Sequence, residues 1–516
     1  MRWIYAGGIL FSLLFLNEKM AINLVLFDLF ILAALFLLYA EARQNAAVRW
    51  FALGHLTSLA MLVLHNTTLS AIACIVTLIL TVSYGLYLHR SPWFASASGI
   101  TNIILSPYLF FVRMFNREDK KQAGGKWSRG IRFAILPVAL LVFFYVIYSL
   151  GNNALSQFTG KMLEKISAFF EHFQWGQRLM LMVPGLFICS ALLLKTASAY
   201  FSKKEEGQED EIARKRISWA ERSHNPMYNL FQTLMGRMVT GMMALKNENT
   251  IGLISLALLN ALLLIVNIID LDTVWLNYRP AADLPVHEMV HEGTWVLIFS
   301  IIMAMVVVLF FFKGNLNFYK KNKWLRMGAY AWIIQNTFLV ASVFMRDLYY
   351  IQMYGLAYKR IGVLFFLLMV LIGLISVVVK VNKRKSIYYL LRMNAVASII
   401  VLVLASAIHW DELIAGYNLS RRDKVTLDVP FLLSLSDKTI PLMEKNLDAL
   451  KQYSLRDAEK LKQYTFYVPG GDELYVQQLK NKEQQFVKKQ AMYSWLSWNY
   501  ADNYVKQYLA YLSTSH

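Results

Sequence analysis

Arg360–Lys380, RIGVLFFLLMVLIGLISVVVK, is the stretch that decides which solvent this chain is built for. Every residue between the two cations is uncharged, and most are large and apolar. As an α-helix rising about 1.5 Å per residue, the run covers about 30 Å, the thickness of a bilayer's hydrocarbon core. The terminal Arg and Lys then fall at the two water interfaces. Similar runs recur, and together they predict spans at 3–16, 21–40, 50–64, 69–88, 131–150, 179–201, 250–270, 293–313, 327–345, 360–380 and 387–408. The first run, between Arg2 and Asn17-Glu18-Lys19, lacks a small-residue cleavage site and leads directly into another apolar run. It therefore reads as a span rather than a signal peptide. Composition agrees: 57% of the 516 residues are hydrophobic and 16% charged, too little charge to cover a water-soluble surface.

The net charge of +19 does not point to nucleic acid, because of where it sits. Residues 409–516 hold fourteen Lys/Arg against thirteen Asp/Glu, so nearly all the excess lies in short loops between spans. That is the distribution the positive-inside rule produces. Segment 113–132 has seven basic residues and two acids, and 313–326 and 380–392 each have five basics and no acid. By contrast 270–292 has five acids and one Arg. Placing basic loops inside requires an even number of crossings between Arg113 and Lys380, and the predicted spans supply six. SPWFASASGITNIILSPYLFF (91–111) breaks the count if it crosses, and Pro92, Pro107 and its serines make it a poor continuous span. It is read as interfacial or re-entrant. The expected fold is all-α and integral to the membrane. About eleven transmembrane helices form residues 1–408, the N-terminus is cytoplasmic, and a small helical extracytoplasmic domain occupies 409–516. The expected location is a bacterial cytoplasmic (inner) membrane.

Two segments of the cytoplasmic stretch 202–249 stand out. KKEEGQEDEIARKR (203–216) is mixed in sign and reads as a solvated linker or helix extension. In 225–245, Met235, Met238, Met242 and Met243 recur at helical spacing. A helix on the membrane surface accounts for them better than Cu(I) ligation, because Met is a versatile apolar filler. Cys74 and Cys189 lie far apart in apolar runs and read as packing residues. In the tail, Ser436 or Asp437 is expected to cap a helix burying Ile440, Met443, Leu447 and Leu450, and Asp472 the next. A third helix is expected to carry Trp495, Trp498, Val505, Tyr508 and Leu512 on one face.

DLPVHEMVHEGTW (283–295) contains His-Glu-x-x-His at His287, Glu288 and His291. On a helix the two histidines share a face, as zinc peptidases require, but a third ligand is also needed. Between Glu292 and His409 the only acidic or His residue is Asp347. The signature is therefore read as fortuitous, and no metal or other cofactor is expected, with His287 and His291 the candidates should a metal bind. Phosphate-binding and nucleophile-elbow motifs are absent too. Intramembrane polar residues are costly in lipid: Asp28, His55, Lys195, Asn260, Asn267, Gln335 and Asn336. Lys195 can snorkel to the interface. Asn260 and Gln335-Asn336 sit near mid-span and can hydrogen-bond across helices. Asp28 must be protonated, paired or wetted.

Three stretches carry a family resemblance: 290–301, 344–370 and 394–443. They resemble bacterial multi-pass membrane proteins grouped as domain of unknown function 4173 and its relative 4153. The resemblance maps Tyr-Gly-Leu-x-x-x-Arg onto Tyr354, Gly355, Leu356 and Arg360, and a later motif onto Leu413, Ile414, Ala415, Tyr417 and Asn418. Asp428, Leu435 and Ser436 follow. His409-Trp410 stands where that motif usually has Asn-Pro, and His291-Glu292-Gly293 matches better than the peptidase signature. The resemblance implies a topology but no established activity. In that topology His291, Glu292, Arg346, Asp347, Tyr350, Tyr354, Gly355, Arg360 and Asn418 fall at outer span ends, where they can form one polar cluster under the tail. The leading expectation is a non-enzymatic protein of transport, envelope sensing or assembly, with the lipid bilayer as its surroundings. Transport calls for a wet cavity reaching Asp28 or Asn260. The alternative is a membrane enzyme, whether a zinc peptidase or one acting on lipid or envelope glycan.

Overall fold

The computed structural model describes residues 1–115, part of 137–164, 174–195, 200–214, 244–277, 286–312, 314–423, 427–462 and 473–515. Among them the regular structure is helical, with one isolated bridge between Glu211 and Lys385. The first eleven helices labelled are α1 (Arg2–Phe15), α2 (Ile22–Leu38), α3 (Ala46–His65), α4 (Thr68–Tyr87), α5 (Pro92–Phe115), α6 (Gln174–Leu193), α7 (Ala244–Asp270), α8 (Val286–Phe311), α9 (Lys323–Tyr354), α10 (Tyr358–Lys383) and α11 (Ile387–Ser406). Eight of the described helices, α3 to α7 and α9 to α11, are long and apolar enough to cross a membrane. The described residues thus form a helical membrane protein. Apolar stretches of α1, α2 and α8 are shorter, and the predicted span 131–150 lies largely outside the described residues.

The stretch 91–111, expected to be interfacial or re-entrant, is one unbroken helix that by length and composition could also cross. Pro107 has no N–H for the Ile103 carbonyl, but the Ser106 hydroxyl donates to that oxygen at 2.8 Å and replaces the missing bond. Asn102 accepts from Tyr87 at 2.8 Å and donates to the Leu194 carbonyl at 3.2 Å. Ser98 faces out of the helix, its hydroxyl 2.7 Å from His89 Nε2.

One core joins α1, α2, α4, α5 and α6 through Ile4, Phe27, Ile31, Leu35, Leu78 and Cys189. A Cβ on Gly7 would lie 2.4 Å from the Cys189 sulfur, and one on Gly185 2.8 Å from Phe11 Cβ. Glycine is what lets α1 and α6 approach this closely. A second core joins α7 to α10 through Leu256, Ile301, Val308, Trp332 and Leu374. Lys380 is buried within this half because its ammonium donates to the Phe312 carbonyl, 2.7 Å away at the end of α8. Helix α11 packs on α10 and also on α3, α4 and α5, linking the two halves.

The mixed-sign segment after α6, expected to be a solvated linker or helix extension, is partly helical and partly buried. Tyr200–Glu206 is helical and Glu205 is buried. Its carboxylate accepts from His89 and the Ser91 N–H at 2.7 Å and from Tyr388 at 2.8 Å. Burial pushes this carboxyl up, but the hydrogen bonds outweigh that effect and hold it below the usual range. Arg392 pairs with Asp210 and Lys385 with Glu211, so the segment is latched onto both α4–α5 and α10–α11. The Met-rich stretch lies mostly outside the described residues.

The tail comprises α12 (Trp410–Ser420), α13 (Leu447–Lys462), α14 (Leu474–Ala491) and α15 (Tyr500–Ser515) with short turns between. Its core contains Ile414, Leu432, Ile440, Met443, Leu450, Leu479, Phe486 and Val505, and runs on into Ile351, Leu356 and Ile361 of the bundle. Trp495 and Trp498 precede α15 rather than riding on it, and both are exposed. Ser436 stands before a short 3-10 turn without capping through its side chain, and Asp472 lies outside the described residues.

Candidate functional site: the seat of the tail

Three sets of polar contacts hold the tail on the bundle. The first explains the Tyr-Gly-Leu-x-x-x-Arg motif. Helix α9 ends at Tyr354, and Gly355 follows with φ 78°, a conformation that disfavours any Cβ. Arg360 on α10 folds back to donate to the Tyr354 carbonyl at 2.9 Å and also to the Gly355 carbonyl. Its cation thus lies at the negative end of α9. The guanidinium also lies 4.4 Å from the Tyr350 ring centroid, and the Tyr350 and Tyr354 rings are 4.7 Å apart. Leu356, between these groups, is read by Asn418 of α12. The Asn418 side-chain oxygen accepts from the Leu356 N–H at 2.6 Å, and its amide donates to the Leu356 carbonyl at 2.9 Å. A side-chain amide that matches a peptide's donor and acceptor pair is a small strand-like lock.

The second set lies at the end of α3. Asn66 closes that helix in the left-handed region, with φ 47°, and donates to the Met20 carbonyl at 2.6 Å. Lys438 from the tail donates to the Asn66 carbonyl. The His409 Nδ1 accepts from the Glu412 N–H at 3.2 Å and caps α12, and its ring lies 5.7 Å from that of His65. Burial pushes His409 down to about 4, with the Lys438 charge adding to the effect. Burial likewise pushes Lys438 down to about 8, with Lys19 adding.

The third set lies at the α1–α2 loop. Lys19 pairs with the buried Asp502 at 2.7 Å, and its N–H donates to Ser497 at 2.7 Å. Glu18 accepts from the same Ser497 hydroxyl. Burial pushes the Asp502 carboxyl up, but Lys19 and Asn499 outweigh it and hold it low. Beside this contact is a cavity of about 190 Å³ lined by Tyr493, Trp495, Trp498, Asn503 and Lys506 among others. That is below the roughly 300–1,000 Å³ of typical small-molecule pockets.

The residues singled out at outer span ends thus divide. Tyr350, Tyr354, Gly355, Arg360 and Asn418 meet around Leu356. Arg346 turns away to pair with Asp270 of α7. Asp347 is buried, with one carboxylate oxygen lacking a hydrogen-bond partner. The backbones of His287, His291 and Glu292 lie in α8, but their side chains are outside the described residues, so the peptidase reading gains nothing here. Within the bundle, Gln335 donates to Asn260 at 2.7 Å, and Asn267 donates to the Gln335 carbonyl at 3.2 Å. Asn336 instead bonds the Trp332 carbonyl of its own helix at 2.7 Å. Asp28 and His55 face each other and are both buried, 1% and 0% exposed. Sequence reasoning did not find Glu18, Lys19, Lys438, His65 or Asp502. A charged pair in the short gap between two apolar runs, as at Glu18-Lys19, was the available signal.

A family model described as Domain of unknown function (DUF4153) matches residues 6–446. Of the two families named from the sequence, 4153 is the one shown. No curated protein and no solved structure matches the chain.

Proposed function

The chain belongs to the DUF4153 family, and from that premise we propose that it is a multi-pass bacterial inner-membrane sensor, not an enzyme. On this reading residues 1–408 form a membrane domain of about eleven spans with a cytoplasmic N-terminus. Residues 409–516 form an extracytoplasmic domain, and the bundle relays the state of that tail to the latched segment around Glu205. The observation that supports it is where α4 and α11 begin and end. Helix α4 starts beside Asn66, under the Lys438 contact, and ends two residues before His89, which bonds Glu205. Helix α11 starts with Tyr388 and Arg392 on Glu205 and Asp210, and ends just before His409. Each is 20 residues long, about 30 Å of rigid helix between two polar clusters. Such an element couples two sites when its ends are held at both.

Single-cysteine labelling tests this directly, because Cys74 and Cys189 are buried and give little background. Lys451→Cys, exposed on α13, is expected to react with a membrane-impermeant maleimide in intact cells, and Gln208→Cys, exposed on the latched segment, only after permeabilisation. The reverse pattern overturns the orientation. In the Gln208→Cys background, Lys438→Ala is expected to raise the labelling rate at position 208 several-fold, and an unchanged rate overturns the relay.

A further inference from the structure

Asp28 of α2 and His55 of α3 lie in the apolar interior, with Asp28 Oδ2 3.3 Å from His55 Nε2. The other ring nitrogen, Nδ1, is 3.0 Å from the Thr77 hydroxyl of α4. Thr77 has a single hydroxyl proton, and its oxygen lies 2.6 Å from the Ala73 carbonyl and 3.2 Å from that of Cys74. A carbonyl only accepts, so Thr77 directs its proton there and accepts from His55. Nδ1 therefore carries the N–H, and in a neutral imidazole Nε2 is then a bare lone pair aimed at Asp28. A bare nitrogen facing an ionised carboxylate in an apolar interior is an uncompensated contact. One proton between them removes it, either as a carboxylic acid donating to Nε2 or as an imidazolium donating to the carboxylate. Both forms leave the pair with no net charge.

The surroundings favour a pair without net charge. The same three helices share an apolar cluster of Leu24, Leu59, Leu62 and Cys74, whose thiol is near enough to feel Asp28. Helices packed on the outside of the trio turn their polar groups elsewhere. Cys189 of α6 lies against Gly7, Tyr5 of α1 against Phe110, and Tyr388 and Arg392 of α11 reach Glu205 and Asp210, while Tyr389 lies under Lys385. The tail's Lys438, His409 and Asp502 stay at the seat. Asp28 lies about 9 Å along α2 from Ile22, next to the Lys19 loop, and His55 about 15 Å along α3 from His65, next to Asn66.

We propose that Asp28 and His55 form an intramembrane binding site for one proton, and that this proton ties α2 to α3 beneath two of the three anchors of the tail. The proton site stands without the sensor reading, and only its consequence at the seat bears on that reading. The test uses the full-length protein in lipid nanodiscs. In 15N-histidine spectra, with His55 assigned by its loss in His55→Gln, Nδ1 is expected to stay protonated. Nε2 is expected to stay hydrogen-bonded, as the 3.3 Å contact with Asp28 requires. A His55 whose Nε2 shows no hydrogen bond, or whose Nδ1 carries no proton, overturns the site. Asp28→Asn places an amide N–H toward Nε2 and mimics the loaded pair, so hydrogen exchange at 16–21 and 494–503 is expected to stay within about two-fold of wild type. Asp28→Ala leaves Nε2 unpaired and is expected to raise that exchange about ten-fold, the scale of one lost buried hydrogen bond. Protection of α7 to α10 is expected to hold in both, showing that the bundle is folded. Unchanged exchange at the seat in Asp28→Ala, or an equal rise in Asp28→Asn, overturns the tie. Reversed labelling of Lys451→Cys would overturn the orientation and leave these readouts unaffected.

Discussion

His409 does with an imidazole what asparagine does elsewhere at a helix start. Its Nδ1 accepts from the Glu412 N–H and satisfies one of the four open donors of α12. The resembled motif carries Asn at this position, a residue type that also caps helix N-termini well. The imidazole adds a pH dependence, because a protonated Nδ1 cannot accept. With its folded value held near 4 and an unfolded value near 6.5, the unfolded chain binds the extra proton between those limits. Stability of the tail is therefore expected to fall as pH drops from about 6.5 to about 4. His409→Asn keeps the cap and removes the titration, so urea unfolding followed by tail tryptophan fluorescence should show a flatter pH profile over this window. Equal slopes in the two proteins would show that His409 is not the titrating group. Lys438 acts in another window. Its folded value near 8 lies below the ordinary 10.5, so stability is gained as pH rises from about 8 to about 10.5.

At the scale of elements, helix contacts depend on what is missing from them. Gly7 and Gly185 leave α1 and α6 close enough that a Cβ on Gly7 would sit 2.4 Å from the Cys189 sulfur. Gly7→Val is expected to push the helices apart and lower stability by about 1–3 kcal/mol. A thermal melt of purified protein reads this, and Cys189→Ala in the same chain should recover part of the loss by making room. Gly54, where an added methyl group would meet nothing within 4 Å, serves as the control, and Gly54→Ala should be near neutral or stabilising. Helix α5 makes the complementary point, since its proline is tolerated because Ser106 supplies the hydrogen bond that Pro107 cannot.

At the scale of the whole molecule, the tail and the bundle share one core and one lock. Asn418→Ala frees both the N–H and the C=O of a buried Leu356, and is expected to cost about 1–3 kcal/mol. Limited proteolysis of the tail should accelerate accordingly, while melting of the transmembrane part changes less. Asn418→Asp keeps the acceptor but loses the donor, and should fall between the two.

The sequence by itself determined the solvent of this protein and most of its helices. Apolar runs of bilayer length, such as Arg360–Lys380, are local and need no partner to be recognised, because lipid forces each backbone to satisfy itself within its own helix. The motif around Tyr354, Gly355 and Arg360 was also legible, since its members lie within a few residues of one another along the chain. Only the tertiary structure decided what polar residues do. Whether Ser106 spoils a span or repairs it depends on where its hydroxyl points. Whether Asp28 is a stray charge or half of a pair depends on His55, which arrives on another helix. Lys19 with Asp502, and Asn66 with Lys438, are joined across nearly the whole chain. A side chain's partner is fixed by packing, and packing between helices leaves no periodicity in the sequence to read.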